Sequence, residues 1–342
     1  MKRSAMFVIV AVLAAGGLVA GQQAGDVNKI LAGARAALGG EKKLTAVKTF
    51  AATGQMTQVQ GGTSSAPADA EVAFELPDKY MKKDVAAMMA PIVITRTSGF
   101  NGNAIIDIVD QPPPMPGRMI VFRAGPGGAG PGETLTPEQQ EEQRARMLLQ
   151  NKQDFARLTL GTLMSSLAVY PLQFAYGGQA ESPDGKADIV DVTGEGGFAV
   201  RLFIDAATHL PLMLSWMDKE PMRITSMVTR GGPGEPGHAT AGAGNVIVSG
   251  GAQAAGAGGH QALTPEERER LMKQAEEQRK AAEAKRRTVE YRLYYGDYRD
   301  VDGIKVPFKL QRSIDGKPTE ELAFEKVKIN AKIDPGKFAP GK

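Results

Sequence analysis

One stretch near the C-terminus constrains the fold more than any other, Val289 to Leu310. Val289, Tyr291, Leu293 and Tyr295 alternate with Glu290, Arg292 and Tyr294, the period-2 pattern of a strand with one buried face. Asp300-Val301-Asp302-Gly303 follows as a turn signal, because Asp favours turn starts and Gly accepts positive φ. Val306, Phe308 and Leu310 then alternate with Lys305, Pro307 and Lys309, a return strand. Pro307 cannot donate a ladder hydrogen bond, so it belongs at an edge, a bulge or an outward position. The stretch predicts an antiparallel hairpin with an apolar face, and not a catalytic centre.

The same patterning recurs along the chain. Strands are expected at 48–56, 70–76, 80–85, 92–97, 104–109, 187–192, 199–205, 212–216 and 222–229. Leu322, Phe324 and then Val327, Ile329 form a last strand, whose change of parity predicts a bulge at Lys326. Before them, Asp26 can cap a helix carrying Val27, Ile30, Leu31, Ala34 and Leu38 on one face, stopped by Gly39-Gly40. No alternation of strand and helix indicates a parallel sheet, so the class is mainly β (α+β) with antiparallel pairing.

Two polar segments interrupt the strands. The first, 111–150, begins with Pro112-Pro113-Pro114 and a Gly-rich run from Gly125 to Gly132. It ends with a helix opened by Thr136-Pro137-Glu138 that runs to about Leu149, and a second helical piece, 155–167, follows. The other, 229–288, combines a Gly/Ala tract at 231–259 with a charged helix at 265–287. The tract holds too little apolar surface to offset its chain entropy. Residues 22–342 are therefore read as one domain with two insertions.

The first 21 residues read as a secretory signal peptide. Lys2 and Arg3 precede an apolar run from Met6 to Val19, and Val19, Ala20 and Gly21 offer cleavage. No second apolar run is long enough to cross a bilayer, so no transmembrane segment is expected after signal cleavage. The chain has no cysteine, so it must fold without disulfides. A soluble, periplasmic protein is the expectation. A net charge of +3 over 342 residues gives no electrostatic case for nucleic acid as a partner.

Motifs that carry chemistry fail on inspection. The three histidines, His209, His238 and His260, have no ligand spacing between them, so no metal is expected. Ser165-Ser166 lack the Gly-x-Ser-x-Gly elbow that would expose a nucleophile. Gly125-Pro126-Gly127-Gly128-Ala129-Gly130 has the dinucleotide spacing but no strand before it and no helix directly after. Asp297, Asp300 and Asp302 do not fit a calcium loop, whose register would place Tyr298 and Lys309 at ligand positions. No catalytic residues and no cofactor are expected. The aromatic and aliphatic residues of the strands are the remaining candidates, as core or as lining of an apolar pocket. Those taken as cavity lining are Phe74, Leu76, Phe203, Leu212, Trp216, Tyr291, Leu293, Tyr295 and Phe308.

Several phrases together resemble the outer-membrane lipoprotein-sorting-like family, similar to the periplasmic carriers LolA and LolB. They are Leu38-Gly39-Gly40, the run Leu76 to Lys79, the run Ile204 to Pro211, the run Asp297 to Pro307, and Val327 to Asn330. The resemblance implies an unclosed β-barrel, a strongly curved antiparallel sheet with helices covering its concave side. It also implies an apolar cavity that shelters acyl chains, each CH₂ contributing about 0.8 kcal/mol. The expected function is non-enzymatic binding of a lipid or acylated lipoprotein, with lipoprotein transport across the periplasm as its use. The alternative is an accessory module of the cell envelope that binds a protein partner through the sheet or the charged helix.

Overall fold

The computed structural model describes residues 23–60, 62–89, 92–110, 136–183, 185–221, 270 and 284–340. The signal-peptide reading, the Pro/Gly run at 111–135, the strand expected at 222–229, the Gly/Ala tract and most of the charged helix lie outside them. The chain divides into two compact units. One comprises the residues up to Gln111, Leu135–Met217 and those from Glu290 onward. The other comprises Pro112–Thr134 and Asp218–Val289, of which few residues are described.

Among the described residues the large unit holds a thirteen-stranded sheet and three α-helices. In chain order come α1 (Gln23–Leu38), α2 (Glu41–Thr45), β1 (Thr49–Gln60), β2 (Thr63–Ser64), β3 (Ala68–Glu75), β4 (Lys79–Met89), β5 (Ile92–Asn101) and β6 (Ala104–Val109). Then follow α3 (Pro137–Thr162), β7 (Leu172–Ser182), β8 (Gly185–Gly194), β9 (Ala199–Asp205), β10 (Pro211–Lys219), β11 (Thr288–Val301), β12 (Ile304–Ile314) and β13 (Lys317–Ile329). The spatial order is β6-β5-β4-β3-β1-β13-β12-β11-β10-β9-β8-β7, with β2 paired to β1. The registered strand pairs are antiparallel, and β6 and β7 are the two unjoined edges. The sheet is not closed.

Local chemistry accounts for the hairpins. Val301 pairs with Ile304 across Asp302 and Gly303, which both have positive φ, as a type I′ turn requires. The Asp300 carboxylate accepts a hydrogen bond from the Gly303 N–H at 2.8 Å and holds that turn. Asp315-Gly316 repeats the device between β12 and β13. Pro307 pairs with Tyr298 on β11, whereas the β12–β13 ladder begins only at Lys309, so the missing N–H breaks no bond on that side. The register of β1 against β13 slips between Lys326 and Phe324, where the change of parity predicted a bulge.

The sheet curves around α3. Phe155 of this helix packs on Phe74 of β3, Tyr80 of β4 and Phe100 of β5, with ring centroids 5.0–5.7 Å apart. Two residues on, the Arg157 guanidinium lies 4.5 Å over the Trp216 ring of β10. In a flat sheet β5 and β10, seven strands apart, would be separated by about 34 Å. One helix turn reaches both only if the strands wrap round it. The concave side is thus covered by helices, α3 along its middle and α1 through Val27, Leu31, Ala34 and Leu38, all buried.

Where the sequence predicts two helical pieces, the structure has one. Thr136 caps α3 in a capping box with Gln139, and the helix continues unbroken through Asn151 and Lys152. It ends at Thr162, and Met164, just past the C-cap Leu163, takes a positive φ of 50° without being glycine. β7 is a strand the sequence reading omits. Its Phe174 and Tyr176 alternate as expected of one, but Gly177-Gly178 interrupts the pattern with a bulge.

Candidate functional site

The inward face of the sheet has three regions, and they differ in chemistry. The middle is filled. Phe50 stacks on Phe74 at 5.0 Å and 7°, and Phe155 of α3 closes over Phe74 edge-on. The Tyr295 hydroxyl donates to the Arg157 carbonyl oxygen at 2.7 Å, and its ring lies against Gly161, where a β-carbon has no room. α3 can approach β11 this closely because residue 161 has no side chain.

Toward the far ends of β4, β12 and β13 the inward face turns ionic. Tyr80 and Lys82 share a face of β4 by strand alternation, as do Leu310 and Arg312 on β12 and Leu322 and Glu320 on β13. Lys82 Nζ lies 2.8 Å from Asp84 and 3.8 Å from Glu320, and Arg312 Nε lies 3.6 Å from Glu320. These side chains are 17–29% exposed, so water reaches them while most of their surface is covered. Burial disfavours the charge on Lys82, but Asp84 and Glu320 outweigh it and hold the ammonium above its usual range. Burial likewise opposes ionisation of Glu320, and Arg312 and Lys82 outweigh it, so its carboxyl stays below the ordinary range. A small cavity of about 150 Å³ lies between α3 and β5–β6, lined by Arg96, Ser98, Ile106, Met147, Gln150, Asn151 and Asp154.

The opposite end, beneath α1 and α2, holds the larger space, about 370 Å³. Leu44, Val47, Leu76, Leu163 and Leu167 give it apolar walls, and Arg35, Glu41, Thr45, Ser165 and Ser166 give it a polar rim. The end of α3 creates it: Met164 turns the chain out of the helix, so Ser165 and Ser166 face the opening instead of continuing a helical face. Arg35 Nε donates to the Met164 carbonyl oxygen at 3.0 Å and lies 3.6 Å from the Glu41 carboxylate.

The nine residues read from sequence as cavity lining are dispersed by this arrangement. Phe74, Trp216, Leu293, Tyr295 and Phe308 are buried in the main core, and Tyr291 packs against it, stacked on Trp216 at 5.4 Å. Leu76 lines the 370 Å³ space. Phe203 and Leu212 lie on the other side of the sheet, in a cluster with Ala187 and Met213. Alternation with Leu202 and Ile204 turns Phe203 away, and the register slip between Pro211 and Met213 puts Leu212 out of phase with Leu214 and Trp216. Sequence reasoning passed over Arg35, Leu44, Val47 and the Ser165-Ser166 pair as site residues. The serines were visible beside Leu163 and Leu167, but a helix end without Gly or Asn gave no sign that they leave the helix. His209, at φ 58°, sits in the β9–β10 turn, beside Gly33 of α1. Among the described residues no group of acids and histidines is placed to hold a metal ion.

No protein-family model and no curated protein matches the chain. Solved structures do. A domain named for outer membrane lipoprotein sorting from Vibrio parahaemolyticus aligns at 10% identity and TM-score 0.40, covering 92% of this chain and 97% of that one. A LolA superfamily protein from Nitrosomonas europaea aligns at 7% identity and TM-score 0.41, with the same coverage. A DUF1329 family protein from Desulfovibrio piger aligns at 10% identity and TM-score 0.41, again with 92% and 97% covered. Among the described residues no helix is long and apolar enough to cross a membrane.

Proposed function

We propose that this chain is an exported, non-catalytic binding protein that shelters one acyl chain at the end of its half-barrel, under α1 and α2. The observation that carries the reading is the 370 Å³ space with leucine and valine walls and a rim of one guanidinium and two hydroxyls. Its volume lies in the lower part of the roughly 300–1,000 Å³ range of ligand pockets, which suits a single chain. The use of such a protein is to carry a lipid or an acylated lipoprotein through the periplasm. The test is displacement of a fluorescent fatty-acid probe from the delipidated protein, compared with a Ser165→Trp variant that fills the space. Saturable binding lost in the variant supports the reading, and no binding to the parent chain ends it.

A second reading draws on the filled middle of the sheet. Phe155 and its three aromatic neighbours, with Phe50 stacked behind Phe74, occupy the volume where a carrier would keep an empty groove. A packed sheet of this kind suits an envelope module that binds a protein partner. Deleting residues 231–287 separates the two: acyl-chain binding survives in the first case, and partner capture is lost in the second.

A further inference from the structure

The rim of the apolar space is asymmetric, and the asymmetry selects a head group. Arg35 is the fixed charge there. Its Nε is spent on the Met164 carbonyl oxygen at 3.0 Å, which anchors the guanidinium to the loop that ends α3, and its side chain is 29% exposed. The two terminal nitrogens have no partner among the described residues. Glu41, the counter-charge, is 65% exposed and meets Arg35 only at 3.6 Å, so water screens it and its side chain is free to swing out. Ser166 accepts a hydrogen bond from the Leu172 N–H at 2.7 Å, which leaves its own O–H to donate. The Ser165 hydroxyl has no partner among the described residues. The same space is therefore lined by an anchored guanidinium, two hydroxyl-bearing side chains and the apolar Leu44, Val47, Leu76, Leu163 and Leu167.

Resting on the reading of this space as an acyl-chain site, we infer that its ligand is a single-chain amphiphile with an anionic head. The tail lies among Leu44, Val47, Leu76 and Leu163, and the head is a carboxylate or phosphate monoester. The free terminal nitrogens of Arg35 donate to it, as such planar donors do to carboxylate and phosphate oxygens. Ser165 and Ser166 donate to the remaining lone pairs. A neutral head leaves the guanidinium unpaired beside an apolar surface, and a cationic head is repelled by it.

Four compounds that each carry one twelve-carbon chain test this on the delipidated full chain at pH 8, by displacement of the neutral probe N-phenyl-1-naphthylamine. They are dodecanoate, dodecyl phosphate, dodecanol and dodecyltrimethylammonium. The two anions are expected to displace the probe at about tenfold lower concentration than dodecanol, and the cation least well. Which anion leads separates a carboxylate from a phosphate ligand. Glu41→Gln is expected to tighten both anions about threefold relative to dodecanol. Arg35→Gln removes the preference for anions while dodecanol still binds. Equal displacement by dodecanol and the anions, or preference for the cation, overturns the inference and leaves the acyl-chain reading standing. Failure of the probe and all four compounds to bind defeats that reading itself.

Discussion

Gly39, at the end of the first helix, abuts Gly303, in the turn between β11 and β12, 264 positions further along the chain. A β-carbon placed on Gly39 would lie 2.5 Å from the Gly303 carbonyl oxygen, and Gly39 has a φ of 140° that other residues avoid. Lys43 Nζ donates to the same oxygen at 3.2 Å. Two of the sequence phrases noted in the chain, Leu38-Gly39-Gly40 and Asp302-Gly303, are thus the two halves of one contact that fixes α1 and α2 over the end of the sheet. Gly39→Ala is expected to cost about 2 kcal/mol from backbone strain and crowding together. Urea denaturation followed by circular dichroism measures it. An unchanged midpoint would show that the helix docks without this contact.

Phe155 is the hub of the filled middle, touching rings on three neighbouring strands. Phe155→Ala should remove about 3–5 kcal/mol of stability through the cavity it leaves. Phe155→Leu, which keeps more of the volume, should cost distinctly less. Chemical denaturation of both variants checks the ordering.

Trp216 is the single tryptophan of the chain, held between Tyr291 on one side and the Arg157 guanidinium on the other. Its emission therefore reports docking of α3. Arg157→Ala is expected to shift that emission to the red and to lower stability by about 1 kcal/mol, from the lost cation–π contact and covering side-chain stem. Emission that stays in place would mean that α3 is held by its apolar residues alone.

The ionic belt makes stability depend on acid. The folded protein holds Glu320 below its ordinary range through Arg312 and Lys82, so the unfolded chain binds this proton more readily. The stabilisation is full above the unfolded value of about 4.3 and is lost as pH falls through the lower folded value. Thermal melting points of the parent chain should drop below about pH 4.5, and Glu320→Gln should flatten that part of the curve while lowering stability at pH 7. Parallel curves for the two proteins below pH 4.5 would remove Glu320 from the account.

Most of the strands were legible in the sequence because a half-buried strand repeats every two residues and each Asp-Gly turn states its backbone angles in its own composition. Helix α1 announced its face in the same way. β7 was not legible, since Gly177-Gly178 interrupts its alternation, and neither was the unbroken course of α3, whose polar middle resembles a linker. Both are decided by partners: β8 supplies the ladder for β7, and the strands around it give α3 its buried second half.

For the site the division is sharper. The sequence by itself determined that the protein has an antiparallel sheet with an apolar face and an amphipathic helix before it. Those are properties of periodicity and residue type, which act between neighbours in the chain. Only the tertiary structure decided that Phe74, Tyr295 and Phe308 are packed core, that Phe203 and Leu212 face the other way, and that open space survives beside Leu76. Whether an inward apolar residue meets a helix or a void depends on where α3 ends and how tightly the strands curve. Contacts between residues more than a hundred positions apart set both.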